Sequence, residues 1–439
     1  MESVPNARQA FSPLDEELGL QPGRLTPLQL EHLTHLSLWM PFGKAVKVLT
    51  DVTGVQASEA TARRQTQAAG AVYEQWQNEQ AAQLCDKQSS DSAVAPMAGE
   101  PASQSKTEQP KKAEARDQKL LISSDGAMIR LVAGEYVEAK TLVIGHVHSK
   151  EKHSTQRPDQ QVETVEISFF SRVADAQTFS KLATVETERR GVSVARQVCA
   201  VQDGAEWIQG FVDLHAHDAV RILDFAHAKS YLTQIAELVR GVGDELPANW
   251  VSQQCHHLKH DGPAAVLKDL SLLLDRHAQM PDLQTKVNYL RKREQQMQYP
   301  RYQQWGWPIG SGSVESSHKY VVQARLKGAG MRWERSHVNP MLALRTQVCH
   351  DRWDEAWVRT CERRGQQRMQ KRISRQELRL DHAKLQLQQL ILRMILLASP
   401  PLPKPVPPKP VSYSSLSASP RSRQPAPNHP WRRPFLAKK

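Results

Sequence analysis

The chain has 439 residues, 58 Lys and Arg against 46 Asp and Glu, a formal charge of +12, and only 39% hydrophobic residues with 27 prolines. That length supports two or three domains with a sizeable core. The absence of any uncharged apolar run of about 18 residues argues against a spanning helix, and the basic balance suits a polyanionic partner. Five scattered cysteines without a CxxC pair, and an N-terminus lacking a basic segment followed by an apolar one, lead us to expect a reducing, cytoplasmic setting with no membrane partner.

Residues 1–25 read as a flexible N-terminus, and 26–78 as a helical domain. Thr26, Pro27 and Gln29 combine an N-cap, a first-position proline and a capping-box partner. The stripe Ala45, Val46, Val48, Leu49 stops at Gly54, and Ser58 caps the next helix, which outlines a helix-turn-helix. One reading presents Glu59, Thr61, Arg63, Arg64 and Gln65 to a DNA major groove; the other is an ordinary helical hairpin. Residues 79–118, rich in Ala, Ser, Gln, Lys and Pro, read as a linker.

Strand texture follows. Residues 119–132 and 135–147 form a predicted antiparallel pair around a turn at Gly134, with a third strand over 162–173. Two short apolar runs, at 197–208 and 219–228, have the look of buried strands. Helices alternate with the later strands, so an α/β layer on a mixed sheet is expected, the first part of a core spanning 119–227. Residues 228–300 read as an all-helical insertion, 301–360 as the end of the core, 361–399 as a C-terminal helix, and 400–439 as a disordered tail with twelve prolines, eight basic residues and no acidic one. In the C-terminal helix Leu380, Ala383, Leu387, Leu390, Met394 and Leu397 keep 3,4 spacing, which we take for a packed core face in preference to a coiled-coil dimer.

Three acids stand out. Asp125-Gly126-Ala127 lies inside the first strand and Asp203-Gly204-Ala205 ends the fourth; either alone reads as a turn, but buried carboxylates beside small residues also suit a metal. Glu315 lies in the first turn of a helix expected to be capped by Ser313 and to run to about Lys327, with His318, Lys319 and Val322 on its face and Val314 and Val321 elsewhere. Aspartates on strands one and four with a glutamate on a later helix match the topology of an RNase H-like nucleotidyl-transferase core. Such chemistry takes hard oxygen ligands for paired Mg²⁺ ions.

The stretches ISSDGAMIRLVAGEYVEAKTLVIG, VQDGAEWI with ILDFAHA, and GSGSVESSHKYVVQARLKGAGMRW resemble the catalytic blocks of the ISKra group of bacterial insertion-sequence transposases, DDE enzymes related to the Mutator-like class. The likeness extends over most of the chain, from MPFGKAV to HPWRRPF, although two frequent Trp positions of the group read Tyr136 and Ala226 here. It implies an RNase H-like fold interrupted by the helical insertion, and a catalytic, metal-binding triad of Asp125, Asp203 and Glu315, spaced 78 and 112 residues apart. It further implies two Mg²⁺ ions with Mn²⁺ as a substitute, double-stranded DNA partners (terminal inverted repeats and target), a homodimer or higher oligomer on DNA, and residence at the bacterial nucleoid. Asp224 and His227 correspond to an accessory pair, with a simple buried Asp–His hydrogen bond as the alternative. A DNA-binding regulator derived from a transposase, or a nuclease that does not join strands, are the other classes open to the sequence.

Among further candidates, Asp213 is a rival for the second carboxylate but sits in a polar stretch. Cys255 to His260, CHHLKH, lacks the two separated pairs of a structural zinc site. Trp305, Trp307 and Trp333 suit either core packing or stacking on an unpaired DNA end. Lys319, Arg325, Lys327, Arg332 and Arg335 are expected to contact phosphates.

Overall fold

The computed structural model describes residues 25–93, 118–150 and 161–398. The expected flexible N-terminus, apart from the buried Leu25, and the proline-rich tail lie outside these residues. The fold is mixed α/β: N-terminal helices, a five-stranded mixed sheet with helices on both faces, and a long C-terminal helix.

The first helices are α1 (Pro27–Trp39), α2 (Phe42–Thr53) and α3 (Glu59–Ala93). α1 opens on the expected capping box between Thr26 and Gln29. α2 ends at Gly54 in the left-handed conformation, and Ser58 accepts the Thr61 N–H. α3 does not stop at 78, the expected end of the helical domain. It runs to Ala93, so residues 79–93 of the expected linker are helical, and 94–117 lie outside the described residues. Its apolar face, Ala62, Ala69, Tyr73 and Ala81, is buried and is diluted in sequence by the buried polar residues Gln65, Thr66 and Gln77. A Cβ on Gly70 would stand 2.2 Å from the Pro340 carbonyl oxygen, so only glycine lets α3 cross so close to the later helix that carries Pro340.

The sheet is built from β1 (Lys119–Arg130), β2 (Tyr136–Lys150), β3 (Gln161–Arg172), β4 (Gln197–Gln202) and β5 (Val220–Leu223), in the order β3-β2-β1-β4-β5. β1 pairs with β2 and β2 with β3 antiparallel; β1–β4 and β4–β5 are parallel. The crossovers run through α4 (Ala176–Arg189) and α5 (Glu206–His215). Strand alternation sorts the side chains of β1 by parity. Leu120 and Ile122 bury against Phe179, Ala183, Ile208 and Phe211 of α4 and α5. Leu121 packs with the helical insertion, and Ala127 and Ile129 pack with α1 to α3. The N-terminal helices therefore share a core with the sheet.

The insertion consists of α6 (Phe225–Gly241), α7 (Trp250–His260), α8 (Pro263–Arg276), α9 (Pro281–Arg291) and α10 (Tyr299–Gln304). After it, α11 (Gly312–Ser317) passes through a π-helical turn (His318–Gln323) into α12 (Ala324–Leu326). α13 (Arg335–Cys349) carries Pro340. Finally, α14 (Trp353–Ala398) begins eight residues earlier than expected, and its Trp353, Ala356 and Trp357 are buried. From 371 to 395 it is exposed on every side, which corrects the expectation of a packed core face: Leu380, Leu387, Leu390 and Met394 are each more than half exposed. Among the described residues, no helix is long and apolar enough to cross a membrane.

Candidate active site at the carboxyl ends of the parallel strands

Parallel pairing of β1 with β4 sets Lys119 against Gln197, Leu120 against Val198 and Ile122 against Ala200, a constant offset of 78 residues. That offset is also the spacing of Asp125 and Asp203 in the sequence, but the ladder ends at Ile122–Ala200 and β4 at Gln202, so Asp203 lies just past the paired stretch. The Asp203 charge acts on Asp125, so the two carboxylates share one neighbourhood. Asp125 is an odd-numbered position of β1, like the Leu121 that buries toward the insertion. Open α/β sheets place their ligand crevice at the carboxyl ends of parallel strands.

Each carboxylate is held. Asp125 Oδ1 accepts the Gly126 N–H at 2.6 Å, and Oδ2 lies 3.7 Å from His318 Nε2. Burial raises the Asp125 pKa above the usual carboxylate range; His318 and the Gly126 N–H oppose the rise, and the anions of Asp203 and Glu138 add to it. His318 is itself buried, and burial lowers its pKa against the pull of Asp125. Neither of its ring nitrogens has a hydrogen-bond partner.

Asp203 Oδ1 accepts the Ala205 N–H at 2.8 Å, at the start of α5. Its carbonyl accepts the Tyr289 hydroxyl, and the Gly204 carbonyl accepts from Arg293 Nη2 at 2.5 Å. Arg293 lies 3.6 Å over the Tyr289 ring, which stacks on Tyr231 at 4.0 Å. Gly204 has φ +82°, and a Cβ there would stand 2.4 Å from both Arg293 Nε and the Tyr289 hydroxyl, so this turn requires glycine twice over. Tyr231, Tyr289 and Arg293 all come from the insertion or the segment that ends it. Sequence reasoning gave them no role, because contacts between residues 86 and 89 positions apart leave no local pattern.

Asp224 and His227 do not form the expected pair. Asp224 caps α6, its Oδ1 accepting the Ala226 N–H, and its Oδ2 accepts the Ser311 hydroxyl. The Phe225 N–H also donates to the Ile309 carbonyl at 3.0 Å. Asp224 thereby ties the residues preceding α11 to the end of β5. His227 packs instead near Tyr231 and Tyr289. Asp213, the rival carboxylate, lies in α5 and pairs with Arg221.

The helix bearing Glu315 packs against β1 and β2. Ser313 is its second residue and not its cap; the side chains of 313–315 lie outside the described residues. In the π turn His318, Val321 and Val322 all point inward while Lys319 is exposed, so the ammonium does not share the inward face as expected. Among the described side chains no three His, Cys, Asp or Glu converge as a metal requires. The two aspartates nevertheless fit a hard divalent cation: they are oxygen donors in one neighbourhood, with Glu138 acting on Asp125, and Lys140, opposite Gly126 in the ladder, is committed to Glu138 at 2.6 Å and to the Ala174 carbonyl.

Of the expected phosphate contacts, Arg63, Arg64, Lys319, Lys327, Arg332 and Arg335 are exposed. Arg325 is not: it is 1% exposed, donates to the Ser37 carbonyl at 2.7 Å, and lies between the Phe42 and Trp333 rings. Arg345 donates alongside it to the Leu38 carbonyl. Both guanidiniums thus meet the negative C-terminal end of α1, a structural use of the charge. Gln65, expected to face DNA, is buried and accepts from Arg364 Nη2. Trp307 and Trp333 are core residues, whereas Trp305 is 42% exposed.

A cavity of about 730 Å³ opens at the opposite ends of the same strands, beside Lys119, Gln197 and Val220. It is remote in the ladder from the aspartates. No protein-family model and no curated protein matches the chain.

Proposed function

We propose that this protein is a DNA transposase of a bacterial insertion sequence, with an RNase H-like core that hydrolyses a phosphodiester at the end of the element and joins the freed 3′-OH to target DNA. The observation that carries the reading is the Asp203 charge acting on Asp125 past the parallel pairing of β1 with β4, with the helix that contains Glu315 packed on β1. The strand order β3-β2-β1-β4-β5 supports it. Asp125, Asp203 and Glu315 would hold two Mg²⁺ ions, or Mn²⁺ in their place, which supply charge neutralisation at the phosphoryl oxygens.

The chain's own residues account for the rest. His318 lies 3.7 Å from Asp125; Tyr289 and Arg293 fix the turn that carries Asp203; Asp224 anchors the entry to α11 through Ser311. Exposed Lys319, Lys327, Arg332 and Arg335 suit phosphate contacts near the cut, and Arg63 and Arg64 suit contacts made by α3. In the first step a water oxygen bonds to phosphorus as the P–O3′ bond breaks, leaving a 3′-OH and a 5′-phosphate. In the second, that 3′-oxygen bonds to a target phosphorus and a target 3′-OH departs.

A plasmid carrying the gene with its own flanking DNA provides the test. Wild-type protein with Mg²⁺ is expected to nick at the element ends and to give joined products, while Asp125→Asn and Asp203→Asn give neither yet shift the same DNA in a gel. Cleavage by the Asp203→Asn protein would sink the triad. Cleavage by wild type without joining would make the protein a nuclease, and binding without cleavage a regulator.

A further inference from the structure

We propose that the exposed segment of α14, residues 371–395, pairs with the same segment of a second copy as a two-stranded coiled coil. The inference deepens the partner side of the reading above, but it needs neither DNA nor phosphoryl chemistry.

A solvated helix normally keeps large apolar side chains to one buried stripe. Here Ile373, Leu378, Leu380, Leu385, Leu387, Leu390, Ile391, Leu392, Met394 and Ile395 are all between 46% and 70% exposed. A patch of that extent marks an association surface.

The spacing selects the partner. Ile373, Leu380, Leu387 and Met394 recur every seven residues, and Gln376, Ala383 and Leu390 fall three residues after the first three of them. That is the alternating a and d pattern of a helix that winds around its own kind, with Gln376 as a single polar layer of the sort that fixes register. Leu378, Leu385 and Leu392 also repeat every seven, but the positions three and four beyond the first two of them are Asp381, His382, Gln388 and Gln389, so that row lacks the second line of a seam.

In this heptad phase Glu377 and Lys384 occupy e positions, and Arg372, Arg379 and Arg393 occupy g positions. Antiparallel strands face e with e and g with g, which sets Glu377 of each copy beside Lys384 of the other and Arg372 beside Arg393. Parallel strands face g with e, which sets Arg372 beside Glu377 and Arg379 beside Lys384. In both directions one pair of opposite charge and one pair of like charge flank the seam, so the apolar rows carry the association.

Sedimentation equilibrium of the full-length chain, without DNA and in EDTA, tests this independently of catalysis. Wild type is expected to be a dimer at low-micromolar concentration, and Leu380→Glu/Leu387→Glu a monomer with unchanged thermal unfolding of the rest of the chain. A monomeric wild type, or a dimer that survives the double Leu→Glu change, overturns the proposal. So does a monomer that sediments with anionic phospholipid vesicles, which would assign the stripe to a lipid surface.

Discussion

Arg325 shows how much a single residue can mislead when read from its neighbours. In sequence it stands among Lys319, Lys327, Arg332 and Arg335, and a basic run is ordinarily a solvated face. In the fold it is fully buried, donating to the Ser37 carbonyl between two aromatic rings. Removing the side chain leaves the Ser37 carbonyl unpaired at the end of α1 and opens a gap between Phe42 and Trp333. Arg325→Ala should therefore cost about 1–3 kcal/mol of stability, read from the urea midpoint. DNA affinity should stay unchanged at temperatures where the variant is folded. Lys327→Ala should show the reverse. A weakened gel shift with normal stability for Arg325→Ala would return that residue to the DNA-facing set.

At the scale of elements, the helical insertion does more than interrupt the core. Arg293, which follows α9, caps the Gly204 carbonyl and covers the ring of Tyr289, whose hydroxyl holds the carbonyl of Asp203. Arg293→Ala is expected to lower cleavage by one to two orders of magnitude, the usual loss when a residue orienting a metal ligand is removed. DNA binding should remain, and thermal stability should fall only slightly. Equal losses of stability and activity would reduce the contact to ordinary packing. None of this was legible in the sequence, where α9 is merely an amphipathic helix. The elements themselves were legible wherever the pattern is periodic: the β1 and β2 runs and the Thr26 capping box. The runs read as strands over 197–208 and 219–228 are strands only to Gln202 and Leu223, after which Glu206 and Phe225 begin helices whose apolar residues continue the run in sequence. Residues 79–93 were not legible, because Ala, Gln and Ser dilute the stripe of α3 until it reads like a linker. The exposure of α14 could not be read at all, since 3,4 spacing looks the same whether the partner is the same chain or another.

Across the whole molecule, buried histidines make the fold sensitive to acid. His350 joins α13 to the sheet: its Nδ1 accepts the Phe169 N–H at 3.0 Å and its Nε2 meets Gln347. Burial, followed by the positive charges of Arg352, Arg189 and Arg190, holds its pKa well below the ordinary 6.5. As pH falls below 6.5 the unfolded chain takes up a proton that the folded one refuses, so stability present above that pH is lost, by up to about 1.4 kcal/mol for each unit. Urea unfolding at pH 7.5 and pH 5.5 should show a smaller drop for His350→Gln than for wild type. Equal drops would remove His350 from the account. Acid lability of this kind is a property of the assembled core, and the sequence, which shows only a histidine beside a cysteine, does not announce it.

The π turn between α11 and α12 acts as a phase adjuster. An α-helix advances about 100° per residue, and the wider turn over His318–Gln323 absorbs one residue more than an α-helical turn would. Upstream of it lie Glu315 and the docking of α11 on β1; downstream lies Arg325, committed to the Ser37 carbonyl. Were one residue missing from this turn, a regular helix would satisfy its own backbone. It would then rotate one of these commitments by about a quarter turn relative to the other, so the helix keeps both its docking on β1 and the anchor of α1 only while this turn stays wider than an α-helical one.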